Sequence, residues 1–162
     1  MSRNRKILSI VAVCSAVLLG PTNAVTLGQP DPGAKAIETR QGYMKLVVWE
    51  AGPLFDMAKG EIAYDADAAS AHAANLKAIS QYPYTGLFID GTSKADRPGK
   101  TRAMADIWQD QARFETAFND WQAAVAALAD AVGGGQPALA AAVSGLGKSC
   151  GGCHKPFKAK EF

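Results

Sequence analysis

The stretch "GKSCGGCHKPF", residues 147–157, decides how the rest of the chain is read. Two cysteines separated by two glycines and followed at once by a histidine suit three chemistries: a thiol redox couple, a zinc site, or covalent attachment of haem. The stretch closes a series of apolar positions, Leu139, Val143, Leu146, Cys150, Cys153 and Phe157, spaced by three and four. That period is helical, so both cysteines lie on the stripe that turns to the core, and His154 falls on the same face four residues after Cys150.

Upstream, "GGGQP" (133–137) separates this helix from another with a longer stripe: Met104, Ile107, Phe114, Phe118, Trp121, Val125, Leu128 and Val132. Glycine past a helix end and proline at the start of the next explain the break. Residues 82–100, "YPYTGLFIDGTSKADRPGK", carry too much Pro, Gly, Ser and Asp for a helix and predict a long ordered connection. Before it, a helix of roughly 15 residues begins near Asp65, whose carboxylate can cap free amides of its first turn. The first helix spans 35–58 on Ile37, Met44, Val47, Val48, Ala51 and Phe55, with a kink expected at Gly52 and Pro53. No strand-like alternation and no internal repeat is found. Four amphipathic helices with short first and third connections predict an all-α, antiparallel four-helix bundle in residues 25–162.

The first 24 residues differ from the rest. Arg3, Arg5 and Lys6 precede the uncharged run "ILSIVAVCSAVLLG" (7–20), and Thr22 and Ala24 place small residues before a cut after Ala24. This is the layout of a secretory signal peptide, and the apolar run is shorter than the roughly 20 residues that span a bilayer. Val13 before Cys14 argues against lipid attachment at that cysteine. Removing the segment takes away three of the 17 basic residues and none of the 15 acidic ones. A near-neutral chain without a basic, aromatic-rich run gives no case for nucleic acid. Export to the bacterial periplasm is the expected location, and free thiols would not persist there unless something held them.

Zinc needs four ligands, and the exported chain offers Cys150, Cys153 and His154, with His72 on the polar side of another helix. A thioredoxin-like dithiol opens a helix after a strand, which is missing here. Haem c meets the constraints: two thiols one helical turn apart add across two vinyl groups, and the adjacent imidazole reaches the iron. The two glycines leave room for the porphyrin edge. No paired-carboxylate or Ser-His-Asp arrangement suggests hydrolysis, so a haem-binding electron-transfer protein rather than an enzyme is expected.

With this motif at its C-terminal end, the chain resembles the class II cytochromes c, the family of cytochrome c′ and its low-spin, methionine-ligated relatives. The resemblance rests on "ETRQGYMK" (38–45), "MAKGEIAYDADAA" (57–69), "LFIDGTSKADRPGKTRAMADIW" (87–108) and "GLGKSCGGCHKPFK" (145–158). It implies one covalent haem c on Cys150 and Cys153, His154 as an axial iron ligand, and Met44 facing the iron from the first helix. It also implies haem contacts from Arg40, as a partner for a propionate, from Gln41, and from Thr92.

Function then divides on Met44. If its thioether binds the iron, the protein is a low-spin, single-electron carrier serving redox partner proteins, which is the expectation adopted from the sequence. If it only packs against the ring, the protein is a five-coordinate cytochrome c′ that binds nitric oxide or carbon monoxide. The resemblance implies a homodimer through the first two helices. Lys158 stands where relatives often carry arginine, and Pro156 removes one hydrogen bond from the last turn. Trp121 reads as packing, Trp108 as a second aromatic near the site, His72 as a solvated surface residue, and Asp65 and Asp67 as caps and surface charges.

Overall fold

The computed structural model describes residues 30–162. The signal-peptide reading, with Cys14, lies outside the described residues. Helix α1 (Pro32–Lys59) starts one turn earlier than the periodicity suggests, because Asp31 accepts hydrogen bonds from the amides of Gly33 and Ala34 and Pro32 occupies the first turn. It is continuous through Gly52 and Pro53 and ends at Gly60, whose φ of 77° is open to glycine. Helix α2 (Ala66–Ser80) has the expected length of 15 residues, and Asp65 caps it by accepting from Ala68 N at 2.9 Å.

The third stripe is divided. A single turn, α3 (Asp106–Gln109), precedes α4 (Gln111–Ala131), because Asp110 leaves the helical region and its carboxylate accepts from Arg113 N at 3.1 Å to start a new helix. Met104 therefore lies outside the helix and in an extended segment, its amide donating to Phe157 O at 2.9 Å. Helix α5 (Gln136–Phe157) follows Gly135 and continues through Pro156.

Helix α1 packs against α2 and α5, and α4 against the same two, which closes an antiparallel ring. Its centre is aliphatic: Leu54, Leu76, Val125, Leu128, Leu139 and Leu146 are fully buried. Leu128→Ala, far from the cysteines, is expected to cost about 3 kcal/mol in urea unfolding of the holoprotein, through lost transfer energy and the cavity left behind. At one end of the bundle a separate cluster of Ala103, Ile107, Phe114 and Phe157 forms, with Phe88, Trp108 and Cys153 packed on it. That cluster is the floor of the site.

The long connection is held by two arginines. Arg97 grips the Asp31 carboxylate at 2.6 and 3.2 Å, which fastens the loop to the start of α1. Arg40, from inside α1, binds the same loop from beneath. Residues 101–104 then run antiparallel to the end of the chain, with Ala159 N donating to Arg102 O at 2.8 Å and Ala103 bridging Lys158. No other strand pairing occurs among the described residues. His72 departs from the expected solvated position: it is half-buried, with Nδ1 2.8 Å from Glu50 Oε2 across the α1–α2 seam.

Candidate functional site

Two adjoining cavities of about 480 and 300 Å³ open between α1, the long connection and the end of α5. Met44, Val48, Cys153 and His154 line both, so these four residues stand at the junction. Cys150 lines only the smaller cavity, with Phe55, Phe118 and Trp121. The larger one runs toward Arg40, Gln41, Arg102 and Lys158. The helical spacing of the motif thus puts one thiol in each chamber. Trp121 contributes to the wall, whereas Trp108 does not: its indole donates to Phe88 O at 3.1 Å in the floor cluster.

The thiols are half-buried and unbonded to each other. Burial pushes the Cys150 pKa up, and burial with the neighbouring Cys150 sulfur pushes Cys153 up to about 11. A thiol redox couple needs the opposite shift, since the thiolate is the reactive form. Zinc fares no better, because no group of three His, Cys, Asp or Glu able to hold a metal occurs among the described residues. The imidazole of His154 has its pKa lowered by desolvation and then by the positive charges of Lys158 and Arg102, which favours the neutral form that binds iron.

Arg40 is 3% exposed, and no carboxylate accompanies it. One guanidinium nitrogen donates to Thr92 Oγ1 at 2.9 Å, and the other to Thr92 O at 2.5 Å and Thr101 Oγ1 at 2.8 Å, with the plane 4.7 Å above the Phe88 ring. Burial lowers its pKa. A buried cation on a cavity wall without an anion is costly unless a charged group fills the space beside it. Gln41 is fixed by donating to Lys100 O at 2.8 Å. Thr92 is fully buried beneath Arg40 and is not on the cavity wall; its contact is with the guanidinium.

Tyr84, Phe88, Ala103, Ile107, Phe114 and Phe157 complete the larger wall and were not singled out from the sequence. The aromatic content of "YPYTGLF" inside a polar connection is the signal that marks Tyr84 and Phe88. A Cβ added at Gly152 would meet nothing within 4 Å, so the protein's own packing does not require glycine there. The apolar chambers, the paired thiols, the neutral imidazole and the uncompensated guanidinium fit a covalently bound, anionic porphyrin.

The comparisons agree with this geometry. The family model for cytochrome c′ matches residues 35–158. Cytochrome c′ of Cereibacter sphaeroides is 48% identical over 124 residues, covering 76% of this chain and 83% of that protein. A solved structure of cytochrome c′ from Rhodobacter Spheriodes superposes with a TM-score of 0.78 at 45% identity, over 82% of this chain and all of the other. A nitric oxide complex of a mutant cytochrome c′ from Alcaligenes xylosoxidans has a TM-score of 0.69 at 29% identity, over 79% and 97%. The chain belongs to the cytochrome c′ family of class II cytochromes c and carries a single covalent haem c.

Proposed function

We propose that this chain is a gas-binding cytochrome c′, with thioethers at Cys150 and Cys153, His154 on one side of the iron, and Met44 packed on the other without a bond to it. Haem c supplies a redox-active iron with one position open to a diatomic ligand. The chain's residues do the rest. His154 presents a neutral imidazole, Arg40 neutralises a propionate while Thr92 and Thr101 hold its fork, and Gln41 keeps α1 tied to the loop. Export to the periplasm follows from the first 24 residues, and the exposed Leu46 and Trp49 on α1 support a homodimer through α1 and α2.

The observation that carries the open position is the apolar space beside Met44, which continues into the 300 Å³ chamber bounded by Val47, Phe118 and Trp121. Such a wall admits nitric oxide or carbon monoxide and gives an approaching polar ligand little to bind. The relatives named cytochrome c′ and the nitric oxide complex among them favour the same reading. It replaces the low-spin carrier expected from the sequence, which retains one supporting observation: Met44 lines both chambers beside His154.

An optical spectrum separates the two. Met44→Ala is expected to leave a high-spin ferrous spectrum in place and to speed carbon monoxide binding by about tenfold, since it removes bulk from the approach. Conversion from a low-spin to a high-spin spectrum on this substitution would restore the methionine-ligated carrier.

A further inference from the structure

The larger cavity has Arg40, Lys45, Arg102 and Lys158 on its wall and no Asp or Glu. Its surroundings continue the bias. Lys100 stands on the loop beside Gln41, Lys155 follows His154, and Lys160 lies on the segment paired with Arg102. None of Lys45, Lys100, Arg102, Lys155, Lys158 and Lys160 forms an ion pair among the described residues. The opposite end of the bundle is acidic, with Glu61, Asp65, Asp67 and Asp130 exposed around the α1–α2 and α4–α5 turns.

Two simpler accounts leave most of this unexplained. The C-terminal end of α5 attracts cations through its macrodipole, which accounts for Lys155 and nothing on the other elements. A basic overall balance does not apply either, because residues 25–162 carry 14 basic against 15 acidic side chains. A near-neutral chain has instead separated its charges, and the positive pole surrounds the mouth of the site. Six like charges without partners repel one another and cost stability, an arrangement that serves association rather than folding.

We infer that this positive rim is the docking surface for an acidic electron-transfer protein that exchanges electrons with the haem edge through the mouth of the larger cavity. The inference rests on the haem reading above. The step it serves is balanced simply: one electron leaves the docked donor, which is oxidised, and ferric iron becomes ferrous, with no bond made or broken. The field of the rim raises the encounter rate and orients the chain with its mouth toward the partner, and salt weakens both effects.

The test uses the ferric holoprotein and reduced flavodoxin, an acidic flavoprotein, as donor in stopped flow. The rate is expected to fall about tenfold between low and physiological ionic strength, as attraction requires, whereas the near-neutral net charge alone predicts almost no change. Lys100→Glu, Lys155→Glu and Lys160→Glu combined are expected to slow reduction about tenfold at low salt and to leave reduction by an uncharged small reductant unchanged. Lys59→Glu with Lys77→Glu, at the other end, is the control. Carbodiimide cross-linking to flavodoxin, mapped by mass spectrometry, should place the bonds at Lys45, Lys100, Lys155, Lys158 and Lys160. Salt-independent reduction, an unaffected triple variant, or cross-links centred on Lys59 and Lys77 would each overturn the inference. Failure of the haem reading is visible separately, as a preparation without a haem spectrum before any mixing.

Discussion

Replacing Cys150 and Cys153 together with alanine is expected to abolish haem staining on a denaturing gel, while either single substitution retains it. Each thiol lines a chamber of the same site, Cys150 the smaller and Cys153 both, and the helix fixes them one turn apart. One remaining sulfur still forms one thioether, so the stain survives a single change. With neither, the porphyrin is held by packing and His154 alone and is lost under denaturing conditions. The thiols' raised pKa values fit this role, because a buried thiol waits for its vinyl partner instead of reacting as a thiolate. The double variant also leaves two apolar chambers unfilled, so its unfolding midpoint is expected to drop by more than that of either single variant. A stain that persists in the double variant would place the attachment elsewhere.

How far these features are legible in the sequence depends on the distance over which each is decided. The α5 stripe through Cys150 and Cys153 is a local period and reads directly. So does the cap at Asp65, where a carboxylate precedes an alanine-rich segment. Met104 fits the same period as Phe114 yet lies outside the helix. Asp110, three residues before Arg113, offers the backbone a competing cap that step counting does not weigh. His72 looks solvated among alanines because its partner, Glu50, belongs to another helix and meets it only after α1 and α2 pack. Thr92 is the instructive case at the site. The sequence brings it to the haem by resemblance, and the fold places Arg40 over it, so that its hydroxyl accepts from the guanidinium and donates to Ile89 O. The walls contributed by Tyr84 and Phe88 come from a connection whose path is fixed by Arg40 and Arg97, and neither anchor has a periodic signature.

Arg40→Leu is expected to destabilise the holoprotein by about 3 kcal/mol, seen as a fall of roughly 10 °C in the thermal midpoint. The side chain makes three hydrogen bonds to the buried residues Thr92 and Thr101 and covers the Phe88 ring. After the substitution Thr101 Oγ1 keeps the amide of Ala103 and Thr92 Oγ1 keeps Ile89 O, but Thr92 O loses its donor while still buried. Arg40→Lys should recover only part of the loss, because an ammonium lacks the fork that reaches both threonines. The sign depends on what fills the cavity. A desolvated guanidinium without an anion is itself unfavourable, so in the haem-free double-cysteine variant the same Arg40→Leu change removes a cost along with the bonds. Its destabilisation there is expected to be smaller by at least 1 kcal/mol than in the holoprotein. Equal effects in the two backgrounds would mean that no propionate sits beside Arg40, and that the residue serves only to pin the loop to α1.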